Sequence, residues 1–193
     1  VIASNLLKLL VTNPAYSEDV STSFRVAINP ECTHFKLNPK TLVYPTPQFP
    51  DITLAKKGWG TDVPLNGVFP YGTWTFKIRL EGESSDGFKV KVSVRLSKAV
   101  NSDGSNAILI GIITSPNVLT LPAGTGVSVI DSFTWSAPDV TIEGMYLFAE
   151  YSVHIEQKSF DSFAFGYFVC DEDPSTADES IDVPTLDTSS VLD

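Results

Sequence analysis

Cys32 and His34, two residues apart in the sequence, are a candidate pair for nucleophilic catalysis. Residues two apart on a β-strand lie on the same face, so a histidine at this spacing can act as a base toward the thiol. Such a nucleophile also needs a third group that orients the histidine and an oxyanion hole, and the surrounding sequence supplies neither. We therefore predict that this pair is not catalytic.

Acidic side chains offer a second route to chemistry, because two carboxylates at the right separation hydrolyse glycosidic bonds. The candidates are Asp131, Asp139, Glu143, Glu150 and Glu156. Acids near strand ends and turns are more often solvated, and the sequence contains no phosphate-binding loop, serine elbow or zinc-ligand spacing. Residues 101–104, Asn-Ser-Asp-Gly, lack the regular acid spacing and closing glutamate of a calcium loop and predict a tight turn. We predict a protein that is not an enzyme and has no cofactor or metal.

The charge of the chain is concentrated at its C-terminal end. The formal net charge is −10, and residues 171–193 hold eight of the 23 acidic residues and no Lys or Arg. The preceding 170 residues are therefore close to neutral and carry no basic stripe. This distribution argues against a nucleic acid or an anionic membrane surface as a partner.

Length and composition are typical of one globular domain. The chain has 193 residues, of which 42% are hydrophobic and 11% aromatic, enough to bury a core. Its two cysteines, Cys32 and Cys170, can pair or can remain free as small hydrophobic side chains. The sequence leaves both alternatives open.

Two stretches of strict alternation, residues 72–81 and 88–97, give the strongest structural signal and predict two neighbouring β-strands. Their apolar positions are Trp74, Phe76, Ile78 and Leu80 in the first, and Phe88, Val90, Val92, Val94 and Leu96 in the second. Polar residues occupy the alternate positions, so each strand has one dry face and one wet face. The link, residues 82–87, is rich in turn-forming residues.

Weaker alternation, together with prolines that separate short extended segments, predicts further strands along the chain. They cover residues 21–28, 41–44, 51–54, 63–69, 108–114, 118–121, 126–136, 145–155 and 162–170. The almost unbroken apolar run 108–114 predicts a strand that is buried on both faces or bulged. A break near Asp131 predicts a second bulge. Residues 56–60 predict an exposed turn that carries Trp59.

No segment has a long helical period, so the sequence predicts an all-β fold. We expect an antiparallel β-sandwich over residues 14–170, jelly-roll-like in its strand count, with an immunoglobulin-like Greek key as the second choice. An N-terminal arm, residues 1–13, and an extended acidic tail, residues 171–193, lie outside it.

Both ends carry apolar residues that could bind a neighbouring subunit. In the arm they are Leu6, Leu7, Leu9, Leu10 and Val11. In the tail they are Ile181, Val183, Leu186, Val191 and Leu192. The alternatives are that the arm is an edge strand of the domain itself and that the tail is a solvated, flexible segment.

Residues 70–80, Pro-Tyr-Gly-Thr-Trp-Thr-Phe-Lys-Ile-Arg-Leu, resemble the Pro-x-Gly-Thr-Trp-x-Phe strand opening of a class of tailed-phage virion β-sandwich proteins. The strand at 88–96, the Thr134-Trp135 strand and the late strand at 146–155 are similar to those that follow in that class. The resemblance covers roughly residues 63–156. It implies a non-enzymatic role in assembly, as in capsid decoration or tail fibre proteins, and assigns no functional residues.

The favoured hypothesis is a structural subunit of a virion that binds copies of itself and other subunits through sheet edges and terminal segments. One alternative is a subunit of an extracellular filament or pilus at the cell surface, joined by donor-strand exchange. A second is a carbohydrate-binding module, which would need an exposed platform of aromatic residues such as Trp59, Tyr71 and Tyr146.

Overall fold

The computed structural model describes residues 7–9, 24–28, 36–38, 58–61, 63–158, 164–169 and 179–189. These residues form strands and turns and contain no α-helix, which confirms the predicted all-β class. The strands are β1 (Leu7–Leu9), β2 (Phe24–Ile28), β3 (Lys36–Asn38), β4 (Gly58–Thr61), β5 (Leu65–Phe69), β6 (Gly72–Ser84), β7 (Phe88–Ala99), β8 (Ile108–Thr114), β9 (Leu119–Leu121), β10 (Gly124–Ala137), β11 (Val140–Lys158), β12 (Ala164–Val169) and β13 (Ser180–Asp182).

One sheet is built around the antiparallel pair of β7 and β11, which stay in register over most of their length. On the far side of β11, β5 pairs with its first half and β4 with its middle, and β1 pairs with β4. On the far side of β7, β8 and β9 pair with successive parts of the strand. The strands β1 and β8 therefore end the path of this sheet within the described part of the chain.

The second sheet is built around β6. The strand β10 pairs with one side of β6 along nearly its whole length. On the other side, β12 pairs with the end of β6 and β13 with its middle, both antiparallel. The strands β2 and β3 add to these as parallel neighbours of β12 and β13. Pairing is thus mostly antiparallel in both sheets.

The sequence predicted that the two strands with the clearest alternation are neighbours in one sheet. This prediction is wrong. The strand β6 belongs to the sheet with β10 and β12, and β7 to the sheet with β11 and β8. The turn after Ser84 carries the chain from one sheet to the other. Strict alternation indicates one buried face per strand but does not say which strand lies alongside, so it fits either arrangement.

A single hydrophobic core takes side chains from both sheets. Trp74, Phe76, Ile78 and Leu80 of β6 and the alternate apolar residues of β7 all belong to it, as their periodicity predicted. Across the sheets, the Phe69 and Trp74 rings meet edge to face with centroids 5.3 Å apart. Gly82 allows Leu121 and Phe88 to approach the β6 backbone so closely that a Cβ atom there would collide with both.

Residues 58–61 are a strand and not the exposed turn that the sequence predicted. The strand β4 pairs with β11, and Trp59 is fully buried against Tyr151, with ring centroids 5.8 Å apart. The predicted bulge near Asp131 is also wrong. Between Val127 and Ala137 the register of β10 with β6 is unbroken, and the irregularity lies between Gly124 and Val127.

The N-terminal segment contributes β1, where Leu7–Leu9 pairs antiparallel with β4. The predicted strands at 41–44 and 51–54 lie outside the described residues, as do Leu6, Leu10 and Val11. No helix in the described part of the chain is long and apolar enough to cross a membrane.

Candidate interaction surface

The residues with potential for chemistry do not come together in the described part of the chain. Cys32, His34 and Cys170 lie outside it. Glu150 and Glu156 form loose ion pairs with Arg95 and Lys91 across the β7–β11 ladder, at 3.8 and 3.9 Å. Within the described ranges no group of three or more His, Cys, Asp or Glu side chains is placed to hold a metal ion.

Asp131 is buried for a structural reason. It lies on the inward face of β10, and its Oδ1 accepts a hydrogen bond of 2.8 Å from the Asn117 side-chain amide. The same amide donates to the Ser132 carbonyl oxygen at 3.1 Å. These contacts attach the connection between β8 and β9 to β10 in the other sheet.

The three aromatic residues that suggested a sugar-binding platform differ in how deeply they are buried. Trp59 is in the core, Tyr146 is half-buried, and Tyr71 alone of the three is strongly exposed, at 73%. Tyr151 is also enclosed, and burial raises the pKa of its hydroxyl far above the usual value. A carbohydrate platform that uses Trp59 is therefore excluded in this conformation.

Three of the five predicted tail residues pack against the chain's own core. Ile181 of β13 is buried, and Val183 and Leu186 are packed against the core cluster. Further along, the Asp187 backbone exchanges two hydrogen bonds of 2.8 Å with Val68. Ile181 is therefore enclosed by its own chain, Val183 and Leu186 are half-buried, and Val191 and Leu192 lie outside the described residues.

Of the seven large hydrophobic side chains that are exposed in the described part of the chain, four lie on the outer strand β8 or in the turn after it. Ile108, Leu109 and Ile112 are 51, 48 and 60% exposed, and Val118 is 47% exposed. We call this surface the β8 edge. The prediction that the strand at residues 108–114 is buried on both faces is wrong, because Ile113 is the one buried residue among them.

A bulge explains why adjacent residues of β8 are exposed. Gly111 is opposite Leu96 and Leu109 is opposite Ser97, so Ile110 is the extra residue. The predicted bulge is therefore confirmed. Gly111 lies beneath Trp135 of β10, and a Cβ atom there would be 3.3 Å from the indole ring.

The β8 edge has few of the features that normally protect a sheet edge. Among the described residues no strand pairs with its outer side. Residues 107–130 contain no Asp, Glu, Lys or Arg, although edge strands are commonly protected by such charges. The bulge shortens the regular part of the edge to residues 111–114. Exposed apolar side chains grouped on one strand and its turn are typical of protein–protein contacts.

The strand β10 also ends its sheet within the described part of the chain, but its exposed surface differs. Its exposed side chains are mostly serine and threonine, with Ile130 as the exception. The apolar edge is therefore a property of β8. The sequence signal that could have found it is the long uncharged stretch around this strand.

Comparison with known proteins adds no family assignment. No protein-family profile matches the chain, and no curated protein matches it significantly.

Proposed function

We propose that this protein is a non-enzymatic structural subunit of a virion, which binds neighbouring subunits through the exposed edges of its sheets. The observation that carries the proposal is the β8 edge, an apolar and uncharged strand whose outer side has no partner among the described residues. Enzymes concentrate polar and titratable groups in clefts, whereas assembly proteins present apolar edges and faces.

We also propose that the two sheets form an antiparallel β-sandwich of jelly-roll type. Its support is the single core that receives side chains from both sheets. A rigid two-sheet body suits a building block, because its edges keep a fixed orientation relative to each other. The resemblance of residues 70–80 to virion β-sandwich proteins points to the same role.

In this proposal the terminal segments still bind neighbouring subunits, but through fewer residues than the sequence predicted. Residues 179–187 serve the fold of their own chain, because Ile181 fills the core and Asp187 bridges to Val68. Contacts through the ends would therefore use residues outside these, such as Leu6, Leu10, Val191 or Leu192. We assign the larger share of subunit binding to the β8 edge.

The test is to locate the protein in its native assembly. Antibodies against the purified chain, coupled to gold, should label extracellular particles at regular positions in electron micrographs. Quantitative mass spectrometry of the same particles should give many copies per particle.

Label on virus particles supports the proposal, and label along cell-surface filaments supports the pilus alternative instead. Protein found only as a free chain, with no label on any particle, would contradict a structural role. A glycan array with hits that disappear in Tyr71→Ala would favour carbohydrate binding, because Tyr71 is the strongly exposed one of the three candidate aromatic residues.

A further inference from the structure

Resting on the proposed function, we infer that the partner of the β8 edge is the same edge of a second copy of this chain. The two β8 strands pair antiparallel about a two-fold axis beside Ile113, and the sheet continues from one copy into the other. Isologous contacts of this kind are the commonest arrangement in homo-oligomers.

The hydrogen-bonding pattern of β8 shows which backbone groups are available. The Ser115 amide donates to the Val92 carbonyl oxygen at 2.8 Å, one pair beyond Ser93 and Thr114, which lie opposite each other in the register. Opposed residues of an antiparallel pair alternate between bonded and non-bonded positions. Ile113 and Gly111 therefore bond to β7, and Ile112 and Thr114 direct their N–H and C=O groups to the open side.

These two residues determine the register. When Ile112 of one copy lies opposite Thr114 of the other, the two residues exchange two backbone N–H···O=C hydrogen bonds. The two-fold axis generates a second, identical pair. Ile113 then meets its own symmetry mate at a non-bonded position. The next outward position is Pro116, which has no N–H, so the donor row ends at Thr114.

The charge distribution makes the β8 edge a surface on which two copies of this acidic chain can meet. The chain carries a net charge of −10, and two copies repel wherever their acidic surfaces approach. The β8 edge lies in the uncharged stretch 107–130, so pairing there brings no like charges into direct contact. Each exposed Ile112 side chain also gains the Thr114 side chain of the other copy as a cross-strand neighbour, which covers part of its apolar surface.

The experiment compares Thr114→Pro with Thr114→Val in the full chain, using sedimentation velocity over a range of concentrations. Both substitutions remove the Thr114 hydroxyl contact to Ser93, which is 3.0 Å long. Only proline removes the outward N–H, at a position where an edge strand tolerates it. We expect wild type and Thr114→Val to dimerise, and Thr114→Pro to dissociate with a dissociation constant at least roughly tenfold higher.

A second matched pair protects the test if the proline variant fails to fold. Ile112→Lys places a charge on the proposed interface, and Val100→Lys places one on an equally exposed residue of the β7–β8 turn. We expect only Ile112→Lys to weaken the dimer. Circular dichroism spectra that match wild type should accompany both measurements.

Two results would overturn the inference. A wild-type chain that stays monomeric at high micromolar concentration would show that another segment of the chain or a different protein covers the edge. A dimer that withstands both Thr114→Pro and Ile112→Lys would place the contact on another surface. Either result leaves the proposed function standing if gold label is still found on particles, so the two failures are distinguishable.

Discussion

Glu179 and Arg79 form a charge contact that helps to hold the C-terminal segment to the body of the protein. The Glu179 side chain is fully buried, and its Oε1 lies 2.6 Å from Arg79 Nε. A carboxylate loses several kcal/mol of hydration when it is buried, and this loss is offset only by close partners. The guanidinium of Arg79, whose side chain is about a quarter exposed, is such a partner.

Replacing Arg79 alone should therefore be costly. Arg79→Met removes the guanidinium 2.6 Å from the buried Glu179 carboxylate, and we expect a loss of about 3–5 kcal/mol in the free energy of unfolding. The double variant Arg79→Met/Glu179→Leu should recover much of that loss, because the buried carboxylate at position 179 is then also removed. Chemical denaturation of the three proteins measures both values. A double variant as unstable as the single one would contradict this account.

At the scale of elements, β13 decides whether residues 179–187 are a tail or a part of the fold. The strand is three residues long, yet it lies between β6 and β3 and places Ile181 in the core. Gly67, with a φ of +141°, lets the backbone of Asp187 approach β5 closely. A short strand with one large buried side chain can thus anchor a chain end.

Truncation of Ile181 tests this anchoring. Ile181→Ala creates a cavity in the core, and we expect it to lower the free energy of unfolding by about 2–5 kcal/mol. Thr185→Ala, on an exposed residue of the same segment, is the matched control and should change stability by less than about 0.5 kcal/mol. Thermal and urea unfolding give the comparison. Equal stability of the two variants would mean that the segment does not hold its place in the core.

The strand β8 shows the opposite case, an apolar element left at the surface. Seven residues without a charge read as a strand buried on both faces, since buried strands have that composition. The bulge at Ile110 and the position of β8 at the end of its sheet place Ile108, Leu109 and Ile112 outside. Burial of this strand therefore requires another chain or segment.

At the scale of the whole molecule, net charge opposes association and the β8 edge favours it. Two chains of charge −10 repel over a distance set by ionic strength, which screens charges beyond about 30 Å at 0.01 M and about 10 Å at 0.1 M salt. The proposed contact itself is uncharged, so screening removes repulsion without weakening the interface.

Added salt should consequently strengthen self-association. We expect the dimer dissociation constant to fall several-fold between low and physiological ionic strength, because repulsion between the acidic chains is screened. Sedimentation at a series of sodium chloride concentrations measures the trend. Weakening of the dimer by salt would instead indicate an interface built from ion pairs.

Local pattern alone determined the class of this protein and the faces of its strands. Alternation in residues 72–81 and 88–97 predicted which side chains are buried, and all nine apolar positions lie in the core. The missing helical period predicted an all-β fold. These properties depend on neighbouring residues in the chain, and a period of two is enough to express them.

Only the tertiary structure decided which strands lie together and which surfaces remain open. It placed β6 and β7 in different sheets, buried Trp59 and Ile181, and left β8 at an edge. Pairing depends on residues far apart in the chain, such as Ser180 and Lys77, and many partners satisfy the same alternation. A hydrophobic strand reads the same in sequence at the centre of a sheet and at its edge, because its exposure is set by what lies beside it.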